Sequence, residues 1–357
     1  MHSGTRRAAR LLAAGLAAAL ATGLAACSDD GKRAADDGTP PKVGFVNANS
    51  ELRFAVEMAE GFESGVAKVG GVEQEVVAPP IVDGPAQLQM FQEMKQETTD
   101  GISVFTLSPE LFAAPLAEAA SNGIPLIAVD NPPPPSSNVK LFIGNDNYEM
   151  GQQLADAVIS KLPANATGRV VMGTASPGVP VLDQRANGMR DRFKEKLPGV
   201  RVTGPFDTKQ DIQATKVAWS ALVKANPNAL AFLGTGEGDG YTLGEIRRET
   251  GGKWLAGAFD LDPKSLQLVK EGHLVLMSPE HYVKGALAGQ LQAQHAKNGD
   301  PLPEGWLYTP GLLVDQSNID EIIKRQATIP EKDKWFAAQI EKILSDPSYL
   351  RPLSSVR

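Results

Sequence analysis

The sequence predicts an α/β protein of two similar, doubly wound parallel-sheet lobes. Short apolar runs alternate with longer amphipathic ones at a spacing of roughly 30 residues, as a parallel sheet covered on both faces requires. The alternation restarts after the stiff, Pro-rich NPPPPSSN segment at 131–138. The 357 residues are 42% hydrophobic and 22% charged, enough for two cores and too apolar for a disordered chain.

In chain order, MHSGTRRAAR and the Ala/Leu run LLAAGLAAALATGLAA precede Cys27. A basic patch, a short apolar stretch and small residues describe an export signal over 1–26. The run is shorter than the roughly 20 residues of a spanning helix. A buried Ala-rich helix is the alternative, and the polar tract that follows argues against it. Leu24-Ala25-Ala26-Cys27 resembles the bacterial lipobox, which implies a lipidated Cys27, a membrane anchor and an exported, outward-facing location. Arg6-Arg7 leaves general or twin-arginine export open. Residues 27–41 have the composition of a solvated tether.

Strands follow at 43–47, 72–78, 102–107 and 125–130, with helices at 53–69 and near 86–98 and 110–122. After the Pro-rich break, strands are expected at 139–146, 169–175, 200–206, 229–234, 254–260 and 273–280. Helices belong near 147–161, 184–196, 211–225, 240–250, 282–297 and 331–345. The single cysteine excludes an internal disulfide and any Cys-rich metal centre. The formal charge is −7, or −10 without the first 26 residues and their three arginines, a poor match for nucleic acid phosphates.

In open α/β sheets ligands gather at the carboxyl ends of strands. Those ends carry Asn49, then Asp130 and Asn131, Thr235, Glu237 and Asp239, Asp260, and Glu280 beside His281. Each acid alone serves equally as a helix N-cap; the same placement in both lobes is harder to explain by capping. The glycine-rich 234–240 run has no G-x-G-x-x-G or GK[ST] frame, and its acids would repel phosphate. No G-x-S-x-G or H-E-x-x-H is present, and the histidines lack metal-ligand spacing. Glu280–His281 reads either as a catalytic pair or as a polar helix start, and Asp130 with Asp260 leaves a glycosidase pair open.

The body from about Lys42 to Ile323 resembles the periplasmic sugar-binding proteins of the ribose/galactose type, the type I periplasmic binding proteins of ABC importers. The matching segments are KVGFVNAN…RFAVEMAEGF, NGIPLIAVDN, GNDNYEMGQQLAD, DQRANGMRDRF, ALAFLG…TLGEI, GAFDLDPKSLQLVKEG, SPEHYVKGALAGQ and LYTPGLLVDQSNID. The resemblance implies a three-strand hinge near 144–146, 278–280 and 306–309, with a cleft that closes on a sugar or polyol. It implies one lobe from 42–144 plus 280–306, a second from 145–279 plus 307–327, and a helical extension over 328–357. The family's ligand site falls on Asn49, Phe54, Asp130, Asn131, Arg185, Gln210 or Asp211, one of Thr235, Glu237 and Asp239, Asp260, and Glu280 in place of Pro279. Phe54 reads as either a core residue or a ring stacker. A permease partner, a monomer, no cofactor and no catalytic activity follow from the same resemblance. A sensor presenting a sugar, nucleoside or autoinducer to a chemoreceptor or histidine kinase is the alternative.

Overall fold

The strand β1 (Lys42–Val46) sits inside a sheet, one strand from its edge, and both of its faces are apolar. Val43 and Phe45 enter one core and Val46 the other. A computed structural model describes residues 39–98 and 100–356, so the export signal and Cys27 lie outside the described residues. From β1 the chain runs through α1 (Arg53–Val69), β2 (Glu73–Val77), α2 (Gly84–Glu97), β3 (Ile102–Val104), α3 (Pro109–Ser121), β4 (Leu126–Val129) and β5 (Leu141–Gly144). These five strands are all parallel, in the order β5-β4-β3-β1-β2.

At Asn145 the chain passes to a second sheet. It builds α4 (Asn147–Ile159), β6 (Gly168–Thr174), α5 (Pro180–Lys196), β7 (Val200–Asp207), α6 (Ile212–Ala225), β8 (Ala231–Leu233), α7 (Glu237–Thr250), β9 (Leu255–Phe259), α8 (Pro263–Lys270) and β10 (Val275–Ser278). Strand order is β10-β9-β8-β6-β7, again parallel, with a core on each face. After Pro279 the chain returns as α9 (His281–Asn298) and β11 (Gly305–Tyr308), which pairs parallel to β5. It crosses again at 309–311 into β12 (Leu312–Val314), antiparallel to β10, and α10 (Ile319–Gln326).

The two-lobed, doubly wound α/β architecture is therefore present, with three crossovers side by side. Asn145 ties them together: its Nδ2 donates to the carbonyls of Pro279 at 3.1 Å and Thr309 at 2.7 Å. A further crossing follows α10. Helix α11 (Ile329–Ser345) sends Phe336, Ile340 and Ile343 into the first lobe's core, and β13 (Leu350–Arg351) pairs antiparallel to β11. The short α10, β12 and β13 carry too few residues to show a period, and the sequence pattern does not announce them. Helix α7 begins at Glu237, three residues before the expected start. Asp239 Oδ2 accepts from the backbone N–H groups of Thr235 and Gly236, which folds the glycine run into a helical first turn.

Each lobe has one helix pair in near backbone contact. A Cβ on Gly285 of α9 would stand 2.0 Å from the Met58 carbonyl oxygen of α1, and one on Gly188 of α5 would stand 2.0 Å from that of Tyr148 on α4. Only glycine fits there.

Candidate functional site

Asp130 directly follows β4 and Asp260 directly follows β9, the corresponding strand of the other lobe. The backbone treats them alike. Asp130 N–H donates to Ile143 O at 2.8 Å and Asp260 N–H to Met277 O at 3.1 Å. Both are left-handed, with φ of 66° and 72°, a region that aspartate tolerates better than most side chains. Both side chains are buried and line one cavity.

A buried carboxylate needs a partner, and each has one. Lys284, on α9 and fully buried, bonds Asp130 Oδ1. His281 Nε2 lies 2.9 Å from Asp260 Oδ1, and its Nδ1 lies 3.3 Å from Lys284 Nζ. Burial pushes the Asp130 carboxyl up, but Lys284, together with His281 and Arg185, outweighs it and holds the group at about 2. Burial and the neighbouring Lys284 charge push the His281 imidazolium down, against the pull of Asp260. The second oxygen of each aspartate has no hydrogen-bond donor among the described residues. Arg185 completes the polar set. Its Nε donates to Asn147 Oδ1 and its Nη1 to Thr235 O, both at 2.9 Å, while the guanidinium rests 4.4 Å above the Phe259 ring centroid. Nη1 also lies 3.9 Å from Asp260.

The apolar part of the wall is Leu52, Phe54, Leu107, Val181 and Leu182, drawn from both lobes. Phe54 meets Phe105 edge-on at 5.9 Å and lies 5.5 Å from the His281 ring, so it packs on the core and faces the cavity at once. The cavity encloses about 570 Å³ including its mouth. That volume is in the range of small-molecule sites.

Of the residues the sequence singles out, Phe54, Asp130, Arg185, Gln210, Glu237 and Asp260 meet at this cavity. The others stand outside its lining, each with at least one polar atom bonded within the fold, although Asn131 Oδ1 and Glu280 Oε1 are buried without a partner. Asn49 accepts from the N–H groups of Glu51 and Leu52 before α1. Asn131 donates to Thr106 O, and Asp211 caps α6 through Ala214 N–H. The Thr235 hydroxyl bonds that of Thr174. Asp239 accepts from the Thr208 hydroxyl at 2.7 Å and the Trp219 indole at 2.8 Å besides its two backbone donors. Glu280, at φ 54°, turns to Arg325 at 2.9 Å and away from His281, so the two adjacent residues form no pair.

Lys209 and Lys284 escape the strand-end reading, and His281 enters it only as the neighbour of Glu280. Lys209 and His281 line the cavity, and Lys284 stands behind Asp130. The available signal was the i, i+3 spacing of His281 and Lys284 on one helix face. Among the described residues no His, Cys, Asp and Glu cluster is arranged to hold a metal ion, and no helix is long and apolar enough to cross a membrane.

Residues 43–300 match a family model described as a periplasmic binding protein domain. The chain is 28% identical over 261 residues to the D-allose-binding periplasmic protein of Escherichia coli strain K12, covering 70% of this chain and 83% of that protein. Among solved structures it is similar to an ABC transporter solute-binding protein from Burkholderia graminis in complex with D-arabinose. There the TM-score is 0.72 at 22% identity, over 79% of this chain and 98% of the other. It is also similar to a chain of the XylFII–LytSN complex, with a TM-score of 0.70 at 16% identity, over 78% and 99%.

Proposed function

Because this chain belongs to the periplasmic binding protein family, a family of non-enzymatic solute-binding proteins, we propose that it captures a monosaccharide or related polyol between its lobes and delivers it to an ABC permease. One observation carries the reading. Two equivalent strand ends aim Asp130 and Asp260 into one cavity, each with an oxygen left for a ligand hydroxyl. Arg185 adds a donor, and Phe54 with the aliphatic wall covers the apolar face of a sugar ring. A buried hydroxyl left unmatched costs about 1–3 kcal/mol, so such a set distinguishes epimers. Gln210 and Lys209 also line the cavity. Asn49, Asn131, Asp211, Thr235, Asp239 and Glu280 hold this arrangement from outside it.

The export signal and the lipobox-like Leu24–Cys27 support an exported protein tethered at the membrane's outer face through Cys27. Palmitate labelling of the full chain should be lost in Cys27→Ser; equal labelling rejects the anchor.

The central test is a thermal-shift screen of the Cys27→Ser protein against pentoses, hexoses, inositols, sugar alcohols and nucleosides. A ligand at a hundred times its Kd adds about 2.7 kcal/mol and raises the midpoint by several degrees. Asp130→Ala and Asp260→Ala should each abolish the shift while remaining folded. A shift unchanged in both variants rejects the site, and a flat panel rejects the sugar reading. The likeness to the XylFII–LytSN complex favours one second reading, a sensor that presents its bound ligand to a receptor. Adjacent genes for a kinase and regulator, in place of a permease and ATPase, would select it.

A further inference from the structure

Helix α1 begins without a cap of its own. Its N-cap residue is Leu52, which has no side-chain acceptor, so the N–H groups of the first turn need an oxygen from elsewhere. The second lobe supplies it. Glu237, the first residue of α7, accepts from Phe54 N–H through Oε2 at 2.9 Å and faces Arg53 N–H through Oε1 at 3.3 Å. The contact spans more than 180 residues of sequence and joins the two lobes across the cavity mouth. Beside it, Leu107 of the first lobe packs against the Val179, Val181 and Leu182 cluster of the second. Neither contact uses a ligand.

We infer that Glu237 is a latch between the lobes, capping α1 in trans, and that it sets how much of the sugar-free protein is closed. The inference rests on the reading that the lobes part to admit ligand. When they do, α1 loses its cap and the Glu237 carboxylate returns to water. The closed position is a hard one for a charged carboxylate. Asp260 and Asp262 face it from the β9–α8 junction, and Asp239 and Tyr241 share its helix. Arg53 stands opposite on α1, and Lys209 and His281 line the same cavity. Burial, aided by Asp260, pushes the Glu237 carboxyl up to about 8, against the two backbone donors. In the open form it titrates as an ordinary glutamate. Closure therefore takes up a proton between those values, and the closed form is favoured as pH falls below 8.

The test needs no sugar, so it stands apart from the identity of the ligand. Spin labels on Ile81→Cys and Val217→Cys, both exposed and on opposite lobes, report lobe separation in a Cys27→Ser background. Glu237→Ala should lower the closed-to-open ratio about tenfold, the size of one net hydrogen bond. Glu237→Gln retains an acceptor oxygen; it should stay closed and lose the dependence on pH between 5 and 9. A Glu237→Ala protein as closed as the parent overturns the latch, and so does a Glu237→Gln protein with the parent's full pH slope.

Discussion

Asp130 and Asp260 were legible as strand-end acids, and the equivalence of their backbones is the strongest argument that they act together. Their counter-charges were not legible. Lys284 lies 154 residues from Asp130, on a helix buried along most of its length, and only the fold brings the pair together. Removing one partner of a buried ion pair strands the other. Lys284→Met should therefore cost about 3–5 kcal/mol in urea unfolding, with part of the loss recovered in Lys284→Met/Asp130→Asn. An unchanged urea midpoint in the single variant rejects the pairing. The folded Asp130 carboxyl is held at about 2, below its ordinary value. Its contribution to stability is present above about pH 4 and lost as pH falls through 2. In Asp130→Asn that portion of the acid unfolding curve should flatten.

At the scale of elements, strands and long helices declared themselves by period, while termini and short pieces did not. The glycine run before α7 shows why. Its glycines suggest a loop, yet Asp239 accepts four hydrogen bonds and winds the run into the helix. That explains its departure from the ligand set, since no lone pair points to the cavity unclaimed. The glycine-lined crossings of α1 with α9 and of α4 with α5 let each lobe bring two helix backbones together beneath its sheet. Gly285→Ala forces a methyl against the Met58 carbonyl, and the helices must separate. A loss of about 2 kcal/mol in chemical denaturation is expected, despite alanine's better helix propensity. Equal stability would mean that the contact is looser than its geometry.

For the whole molecule, the two-lobed plan followed from alternation alone, but the passage from α10 to α11 did not. It is built on buried charge. Arg325 pairs with Glu280 at the hinge, and Gln326 donates to Glu57 of α1. Burial pushes the Glu57 carboxyl up to about 7, although Lys332, Arg53 and Arg325 oppose it. Stability from this site is full below pH 4.5 and is lost as pH rises through 7. Glu57→Gln should thus gain about 3 kcal/mol over the parent at pH 8 and little at pH 4.5, read from urea midpoints. The passage also fixes what moves. Labels at Glu73→Cys and Ser348→Cys should keep their separation when ligand binds, whereas Glu73→Cys and Val217→Cys should approach. A change in the first pair would detach α11 and β13 from the first lobe. A chain that passes between two bodies an even number of times finishes in the one where it began. Strands β1 and β13 accordingly share a sheet, and tension applied across them is borne by that sheet, leaving the second lobe, joined only at interior points of the chain, outside the path of the load.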